Sequence, residues 1–403
     1  MTNKLYYLYR AFDELIPIYP LYLIMFEKGG LSVAQISLLL AIWSIPGVVL
    51  EIPTGVLADH WSRRNMLFLG QILKAGCYLA WFFADGFWIY ALGFVLWGIG
   101  GTFKSGSEEA LLFDSLKRDN REECFDRVLG RGRLLSGIST VIASLFGGFL
   151  GMRFGFSPVL LFSVVSGLAG AATVFCMKEV NLYRDRLIEE KKDSSLRTLL
   201  KSMNFLLKRK EILLYSLMTI LVFTTAGVLD EYDQLIAKDF GLSYALIGSW
   251  TAVRFILIAL GGFLAAVLRR GIERGFRLRD RMYQVVLLSC LAAGALLVAG
   301  LVRSIGVMAL YGLYYLIMAA GDVIQEDYIQ QRIEEEGRST VHSLIALSQN
   351  LYGILCYGLF GWLVSGSGLF HGLIWTGVYI VLWTLLLCMF YLKWMSGNRH
   401  YSV

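Results

Sequence analysis

Charged residues are scarce in this chain. Of its 403 residues, 17% are Asp, Glu, Lys or Arg and 57% are hydrophobic. A soluble protein of this length needs far more polar surface, so the composition excludes an ordinary soluble fold. Apolar runs of about 18 or more residues recur along the chain, and each is long enough to cross roughly 30 Å of hydrocarbon as a helix. The runs are continuous rather than alternating, which favours membrane helices over a β-barrel.

Cysteine is also scarce, and it is not arranged for pairing or for metal binding. The six cysteines include no C-x-x-C pair and lie mostly within predicted helices. They support neither a disulfide framework nor a zinc site, and we interpret them as small apolar packing residues. The sequence also lacks a phosphate-binding loop, a metal-ligand constellation and a nucleophile triad. We therefore expect neither an enzyme nor a bound metal or cofactor, and no ATP-driven pumping by this chain alone.

The apolar runs predict an all-α membrane protein with twelve transmembrane helices. The predicted spans are 5–27, 33–58, 66–84, 87–114, 126–151, 156–177, 211–237, 243–268, 282–302, 305–330, 339–364 and 369–394. No cleavable signal is predicted, because Lys4 and Arg10 lead directly into a helix without a small-residue cleavage site.

The lysines and arginines predict the orientation of these helices. Nearly all of the 37 lie in loops on the side of the two termini, and the opposite loops hold only Lys28, Arg153, Lys238 and Arg303. The positive-inside rule therefore places both termini in the cytoplasm. The net charge of +6 reflects loops that face anionic lipid, so no nucleic-acid partner is implied.

The two halves of the chain share one plan. The heptapeptide GLSVAQI at 30–36 precedes helix two, and GLSYALI at 241–247 precedes helix eight. The longest loop separates them, and its leucines lie at helical spacing between basic residues. We predict an N-terminal six-helix bundle at 1–178, a cytoplasmic linker with an amphipathic helix at 179–210, and a C-terminal six-helix bundle at 211–403. Such internal repeats are typical of secondary transporters.

Two short stretches carry a family resemblance. The stretch GVLADHWSRR at 55–64, between helices two and three, resembles the signature of the major facilitator superfamily, with His60 and Ser62 departing from the pattern. The stretch SGSEEALLFDSL at 105–116 is similar to one common in a bacterial group of that superfamily. The resemblance implies a fold of two pseudo-symmetric six-helix bundles. It also implies that helices one, four, seven and ten line a central cavity.

The resemblance further implies a cytoplasmic gate. We expect Arg63 to reach Asp114 at the end of helix four, and Asp59 to sit against the N-terminal end of helix eleven, around 339–342. Asp327 corresponds to Asp114 in the second half. The predicted gate residues are Gly55, Asp59, Arg63, Arg64 and Asp114.

Ionisable residues within the predicted helices concentrate on helices one, four, seven and ten. A charge in the membrane is costly unless it faces a cavity or a partner, so each is a functional candidate. Lys104 and Glu108 are four residues apart and share a helix face, as do Asp322 and Glu326. Repulsion between like charges and burial both favour the protonated form of a carboxylate, so such a carboxylate can exchange protons during transport. The proton-coupling candidates are Glu108, Asp230 and Asp322, followed by Asp13 and Glu14.

Among the charges deep within these four helices, Lys104 is the only cation and the rest are carboxylates. Aromatic residues lie between them along the sequence. An acidic, aromatic cavity suits an amphipathic organic cation, through charge attraction and cation–π contact. The tyrosines are equally typical of ordinary helix packing or of an interfacial belt. The substrate-cavity candidates are Lys104, Glu109, Glu231, Glu326, Tyr19, Trp97, Phe103, Tyr311 and Tyr315.

The chain resembles the bacterial drug/proton antiporters, which implies proton-coupled efflux of an amphipathic small molecule by alternating access. Helix four lacks the antiporter arginine ahead of the Gly-x-Gly at 98–100, and helix five has no proline at 143–148. Proton- or sodium-coupled nutrient uptake therefore stays open as an alternative, and a non-transporting membrane receptor is an alternative from another class. We expect a monomer in the plasma (inner) membrane of a bacterium, with protons as the coupling ion.

Overall fold

The structure is a computed structural model that describes residues 3–105, 107–181, 203, 206–332 and 335–399. The structure also leaves undescribed the side chains at positions 52, 55, 56, 58–60, 335–340, 343 and 397–399. The described residues form helices joined by short connections, with no strand among them. The predicted all-α class is confirmed.

Eight helices precede the linker and seven follow it within the described residues. The first eight are α1 Asn3–Glu14, α2 Tyr22–Lys28, α3 Val33–His60, α4 Arg63–Phe82, α5 Phe87–Lys104, α6 Ser107–Arg118, α7 Phe125–Phe154 and α8 Phe156–Phe175. The others are α9 Lys210–Met218, α10 Thr224–Asp239, α11 Tyr244–Phe276, α12 Arg281–Val302, α13 Met308–Arg332, α14 Glu335–Ser365 and α15 Leu369–Arg399. A π-helical turn at Thr219–Phe223 joins α9 to α10.

Ten helical segments of the described chain are long and apolar enough to cross a membrane. The predicted spans 5–27 and 66–84 are not among them. The first is divided between the short helices α1 and α2, and α4, which covers the second, carries Gln71 and Lys74 in its middle. Both polar residues are buried within the protein, so the lower hydropathy of α4 reflects internal polar contacts.

The chain folds as two units. The first comprises Met1–Lys191 and Leu242–Val253, and the second comprises Lys192–Gly241 and Arg254–Val403. In the first unit α4 packs between α5 and α8, and α1 packs against α7 and α8. In the second unit α12 packs against α13 and α15, and α10 packs against α14 and α15.

The start of α11 groups with the first unit. The division into bundles at 1–178 and 211–403 with a linker at 179–210 stays a prediction. Most of the predicted amphipathic linker helix, at 182–202 and 204–205, lies outside the described residues.

Helix one was predicted as a continuous span, and the structure corrects this. Its helix ends at Glu14 and resumes at Tyr22. Pro17 and Pro20 cause the break, because proline has no N–H to donate and disfavours helical geometry in the residue before it. Between the two helices the chain turns through three backbone hydrogen bonds. The N–H groups of Ile16, Tyr19 and Leu21 donate to carbonyls two or three residues earlier.

Side chains from neighbouring helices satisfy the backbone groups that the break leaves open. Ser163 on α8 accepts a hydrogen bond from the Ile18 N–H at 3.2 Å, and Ser166 donates to the Phe12 carbonyl at 3.0 Å. Lys74 donates to the Asp13 carbonyl at 2.6 Å. Unsatisfied backbone groups are costly in hydrocarbon, so these contacts allow a broken helix within the membrane.

The predicted repeat has a structural counterpart. Gly30 follows α2 with φ +88°, and Gly241 follows α10 with φ +91°. Both positions need left-handed backbone geometry, which glycine adopts without strain. In the first copy Ser32 then caps α3 through a reciprocal capping box with Gln35. The two halves therefore have the same helix end and turn at matching positions of the repeat.

Replacing Gly147 by Ala tests how tightly α7 packs on the break. A Cβ at Gly147 would collide with the carbonyl oxygen of Pro17, whereas one at Gly137, on the same helix, meets open space. We expect Gly147→Ala to destabilise the protein by about 1–3 kcal/mol and to lower its unfolding temperature in detergent. Gly137→Ala is the control and should be neutral or slightly stabilising. Equal unfolding temperatures for the two variants would contradict this packing.

Candidate functional site

Asp13 is the centre of a buried charge cluster in the first unit. It is the penultimate residue of α1 and is 1% exposed. Lys104, the last residue of α5, forms an ion pair with Asp13 Oδ2, and Lys74 of α4 lies 3.2 Å from Oδ1. Gln71 donates to the same Oδ1 at 2.7 Å. The two lysines also lie at the carboxyl end of α1, where the helix dipole favours positive charge.

Glu108 forms a second centre beside the first. It lies in the first turn of α6 and is 8% exposed. Arg10 Nη1 contacts both of its carboxylate oxygens, at 3.0 and 3.1 Å, and the Tyr6 hydroxyl donates to Oε1 at 3.2 Å. The predicted pairing with Lys104 is present at 3.7 Å, although Arg10 is the nearer cation.

The charges of this cluster balance. Three cations (Arg10, Lys74 and Lys104) face three carboxylates (Asp13, Glu14 and Glu108), with Glu14 4.0 Å from Lys104. The expectation that Lys104 is the only cation is therefore corrected. Arg10 was assigned to the cytoplasmic side and Lys74 lies on a helix not predicted to line the cavity, so the pairing of Arg10 with Glu108 and of Lys74 with Asp13 appears only in the tertiary structure. Pairing reduces the penalty of burying ions in the membrane.

Glu109 does not join the cluster, although it was a cavity candidate. Its side chain is 57% exposed and forms an ion pair with Arg133 of α7 at 3.1 Å. Successive residues on a helix point about 100° apart, so Glu108 and Glu109 cannot share one environment.

Aromatic candidates lie next to the cluster. Tyr19, in the break of helix one, stacks on Trp97 with ring centroids 5.5 Å apart and planes 11° apart. The Lys74 ammonium lies 5.7 Å from the Tyr19 ring centroid, within the range of a cation–π contact. Phe103 is half-buried where α5 passes Gly70 of α4. The structure thus brings Tyr19 and Trp97 together beside the lysines.

The second unit contains a separate cluster around Arg254 of α11. This arginine is 6% exposed and forms ion pairs with Asp230 and Asp233 of α10. Tyr315 donates to Asp233 at 3.3 Å, its hydroxyl is 2.9 Å from that of Tyr311, and its ring lies below the guanidinium at 5.5 Å. Arg254 and Asp233 were not among the predicted site residues, although both were visible as charges within apolar spans.

The remaining acidic candidates of the second unit are more open. Asp322 of α13 is exposed, and within the described part of the chain no ion pair or hydrogen bond to its side chain is found. Glu326, one turn later, accepts a hydrogen bond from Gln330 at 2.9 Å and lies 3.7 Å from His342 Nδ1. Glu231 is half-buried on α10. Asp322 is thus the candidate carboxylate that no described cation compensates.

One contact expected between the predicted gate residues is present in the first unit. Arg63 Nη1 lies 2.6 Å from Asp114 Oδ2 with both side chains buried, which confirms this predicted contact. The Arg64 guanidinium donates to the Met177 carbonyl at 3.4 Å. The side chains of Gly55 and Asp59 lie outside the described residues, so the contact predicted for Asp59 stays a prediction.

Glu179 completes the start of α4, and sequence reasoning missed it. Its carboxylate accepts hydrogen bonds from the backbone N–H groups of Arg63 at 3.2 Å and Arg64 at 2.9 Å, and from the Ser62 hydroxyl. An anion at a helix N-terminus satisfies otherwise open N–H groups. The sequence signal was weak, because Glu179 is one of five carboxylates in the predicted loop at 178–210.

The second unit repeats the Arg63–Asp114 pair. Arg281, the first residue of α12, lies 2.6 Å from Asp327 of α13. Asp327 thus occupies the position expected for a counterpart of Asp114. The repeat therefore extends from the turns to a charge pair, although the second half lacks the motif at 55–64.

Buried charge pairs within two related sets of apolar helices are typical of polytopic membrane proteins that transport solutes. The sequence profile described as Major Facilitator Superfamily matches residues 5–355. The chain belongs to the major facilitator superfamily. That family consists of multi-pass membrane transporters rather than enzymes.

Bacterial relatives share modest sequence identity with this chain. The uncharacterized MFS-type transporter YxaM of Bacillus subtilis is 24% identical over 62% of this chain and 60% of its own length. The class B tetracycline resistance protein of Escherichia coli is 26% identical over 48% of each chain. These two matches span less than two thirds of the relatives. The multidrug resistance protein MdtH of Cronobacter sakazakii is 22% identical over 91% of this chain and 89% of its own.

Solved transporter structures share the fold. A variant of the nucleoside transporter NupG has a TM-score of 0.78 at 10% identity, covering 96% of this chain and 99% of the other. The D-xylose-proton symporter has a TM-score of 0.68 at 14% identity, covering 96% and 95%. At these identities the likeness establishes the fold alone.

Replacing the aspartate of each repeated ion pair tests how strongly burial of the pair affects the stability of the protein. Asp114→Asn leaves Arg63 as a buried cation without its carboxylate, because the Asp114 side chain is only 3% exposed. We expect destabilisation by about 3 kcal/mol or more. Asp327→Asn is the matched control: the distance is the same, but the Asp327 side chain is 48% exposed, and the loss should stay below about 1 kcal/mol. Similar unfolding temperatures for both variants in detergent would contradict this assignment.

Proposed function

We propose that the protein exports an amphipathic small molecule, cationic compounds included, in exchange for protons. It would work by alternating access, as a monomer in the plasma membrane of a bacterium, with both termini in the cytoplasm. The observation that carries the proposal is the set of carboxylates within membrane helices, of which Asp322 has no described cationic partner. The match to a multidrug resistance protein over 91% of this chain supports export.

Asp322 is the leading proton-coupling residue in this proposal. An ionised carboxylate in a membrane helix is costly without a partner, and proton uptake removes that penalty. Asp13, Glu108 and Asp230 are instead held by lysine or arginine, so each would take up a proton only as its cation moves away. Protons and cargo would then compete for the same carboxylates, and protonation from outside would release the cargo.

The charge balance of the first unit refines the cargo class. Because Arg10, Lys74 and Lys104 match the nearby carboxylates, the cluster presents no net negative charge to a ligand. Recognition would rest mainly on aromatic surface, for which the half-buried Tyr19 and Trp97 of the first unit are the candidates, because Tyr311 and Tyr315 of the second unit are buried. This favours cargo with a large apolar part, whether or not it also carries a positive charge.

The gate belongs to the same proposal. Arg63 at the start of α4 forms a buried ion pair with Asp114 of α6, and Glu179, which follows α8, accepts a hydrogen bond from the Arg63 N–H. We assign Gly55, Asp59, Arg63, Arg64 and Asp114 to a cytoplasmic gate that closes when the outer side opens. The firm attachment of α4 would let the segment at 55–64 move as one body with its unit.

Asp322→Asn tests the coupling residue. We expect at least a tenfold loss of proton-driven transport of the lipophilic cation ethidium in proteoliposomes, because asparagine cannot exchange a proton. Ethidium binding to the detergent-solubilised variant should persist, measured by fluorescence polarisation. The control is Glu109→Gln, whose exposed side chain pairs with Arg133 outside the cluster, and its transport should stay within twofold of the unmodified protein. Unchanged pH-driven flux in the Asp322 variant would overturn its assignment.

The direction of coupled flux separates export from uptake. Exchange predicts that an acidic lumen drives ethidium into proteoliposomes as protons leave. Accumulation of D-xylose or uridine driven instead by external acid would identify a nutrient symporter. The fold shared with a D-xylose-proton symporter is the observation behind this alternative. Binding of ethidium without flux under either gradient would indicate a receptor.

A further inference from the structure

A basic pocket of about 550 Å³ lies in the second unit, away from both charge clusters. It forms where the beginning of α9 meets the ends of α13 and α15. Its lining residues are Lys208, Arg209, Lys210, Glu211, Ile212, Arg332 and Trp394. We propose that this pocket binds the phosphate group of an anionic phospholipid, a role that does not depend on the transported cargo.

The charges of the pocket favour an anion. Four of its described lining residues are cations, and Glu211 is the only carboxylate among the lining residues that the structure describes. Glu211 is already engaged, since it lies 3.2 Å from Arg332 Nη1 and accepts a hydrogen bond from the Tyr328 hydroxyl. Lys208 and Lys210 are exposed, and no ion pair to either is found within the described residues. The described part of the lining therefore has a surplus of positive charge.

The geometry prepares the pocket for a compact anion. The Arg332 guanidinium lies over the Tyr328 ring at 4.6 Å and is also held by Glu211, so it is oriented before any ligand arrives. No side chain caps the N-terminus of α9 at Arg209. The first N–H groups of α9 therefore add hydrogen-bond donors at the same place as the lysines.

The position of the pocket favours a lipid as the source of the phosphate. The three helix ends belong to membrane-spanning segments, and the chain's orientation predicts that they face the cytoplasm. Trp394 and Ile212 give the pocket an apolar side. Tryptophan is typical of the level of lipid headgroups, and basic pockets between membrane helices suit anionic headgroups.

The experiment uses the full-length protein in dodecyl maltoside. Thermal unfolding is titrated with dioctanoyl phosphatidylglycerol, with dioctanoyl phosphatidylcholine and with inorganic phosphate. The test variant is Lys208→Gln/Lys210→Gln, and the matched control is Arg270→Gln/Arg274→Gln, which removes two exposed charges at the end of α11 outside the pocket. Lys208→Arg/Lys210→Arg keeps the charge and shows whether the test variant fails for another reason.

We expect phosphatidylglycerol to raise the unfolding temperature of the unmodified protein. The test variant should bind it about thirtyfold more weakly, since each lysine contributes roughly a factor of five near an anionic surface. The control and the arginine variant should stay within about threefold. Equal weakening in the control, or no selectivity over phosphatidylcholine, would overturn the proposal. Stabilisation by inorganic phosphate equal to that by phosphatidylglycerol would identify a free-anion site and overturn the lipid assignment.

Discussion

Hydrocarbon neither solvates charge nor offers hydrogen bonds to the backbone, and this constraint organises the whole structure. Asp13 shows how it is met. Its carboxylate and its own carbonyl are satisfied by Lys74, Lys104 and Gln71, which come from helices distant in sequence. In the second unit Arg254 does the same for Asp230 and Asp233. The ion pairs are therefore conditions for inserting these helices as well as candidates for moving protons.

The break in helix one follows from the same constraint. Pro17 and Pro20 remove helical hydrogen bonds, and the freed groups find Ser163, Ser166 and Lys74 instead. The break ends α1 one residue after Asp13, so the lysines meet both a carboxylate and the negative end of a helix dipole. It also places Tyr19 against Trp97 beside them. One local interruption thus gathers charge, backbone polarity and aromatic surface at a single place.

Several particular features of the fold and site were predictable from the chain alone. Hydropathy predicted the helices because it acts locally, and the turns at Gly30 and Gly241 could be matched because their left-handed geometry restricts the residue. The contact of Arg63 with Asp114 followed from a resemblance in a short motif. Glu179 was missed because its loop holds several carboxylates and no periodicity marks the one that caps α4. Glu109 was misplaced because burial differs between adjacent residues of one helix.

The sequence by itself determined the class of the protein. A membrane transporter is predicted by the long apolar runs, the duplicated plan and the concentration of charges on a few helices. Only the tertiary structure decided which charges meet. Asp13 is 61 residues from Lys74 and 91 residues from Lys104. Helical spacing relates only residues within a few turns of each other, so it could relate Lys104 to Glu108 and Arg10 to Asp13. It could not find the contact of Arg10 with Glu108 or of Lys74 with Asp13. The neutrality of the first cluster, and the open position of Asp322, depend on how whole helices pack.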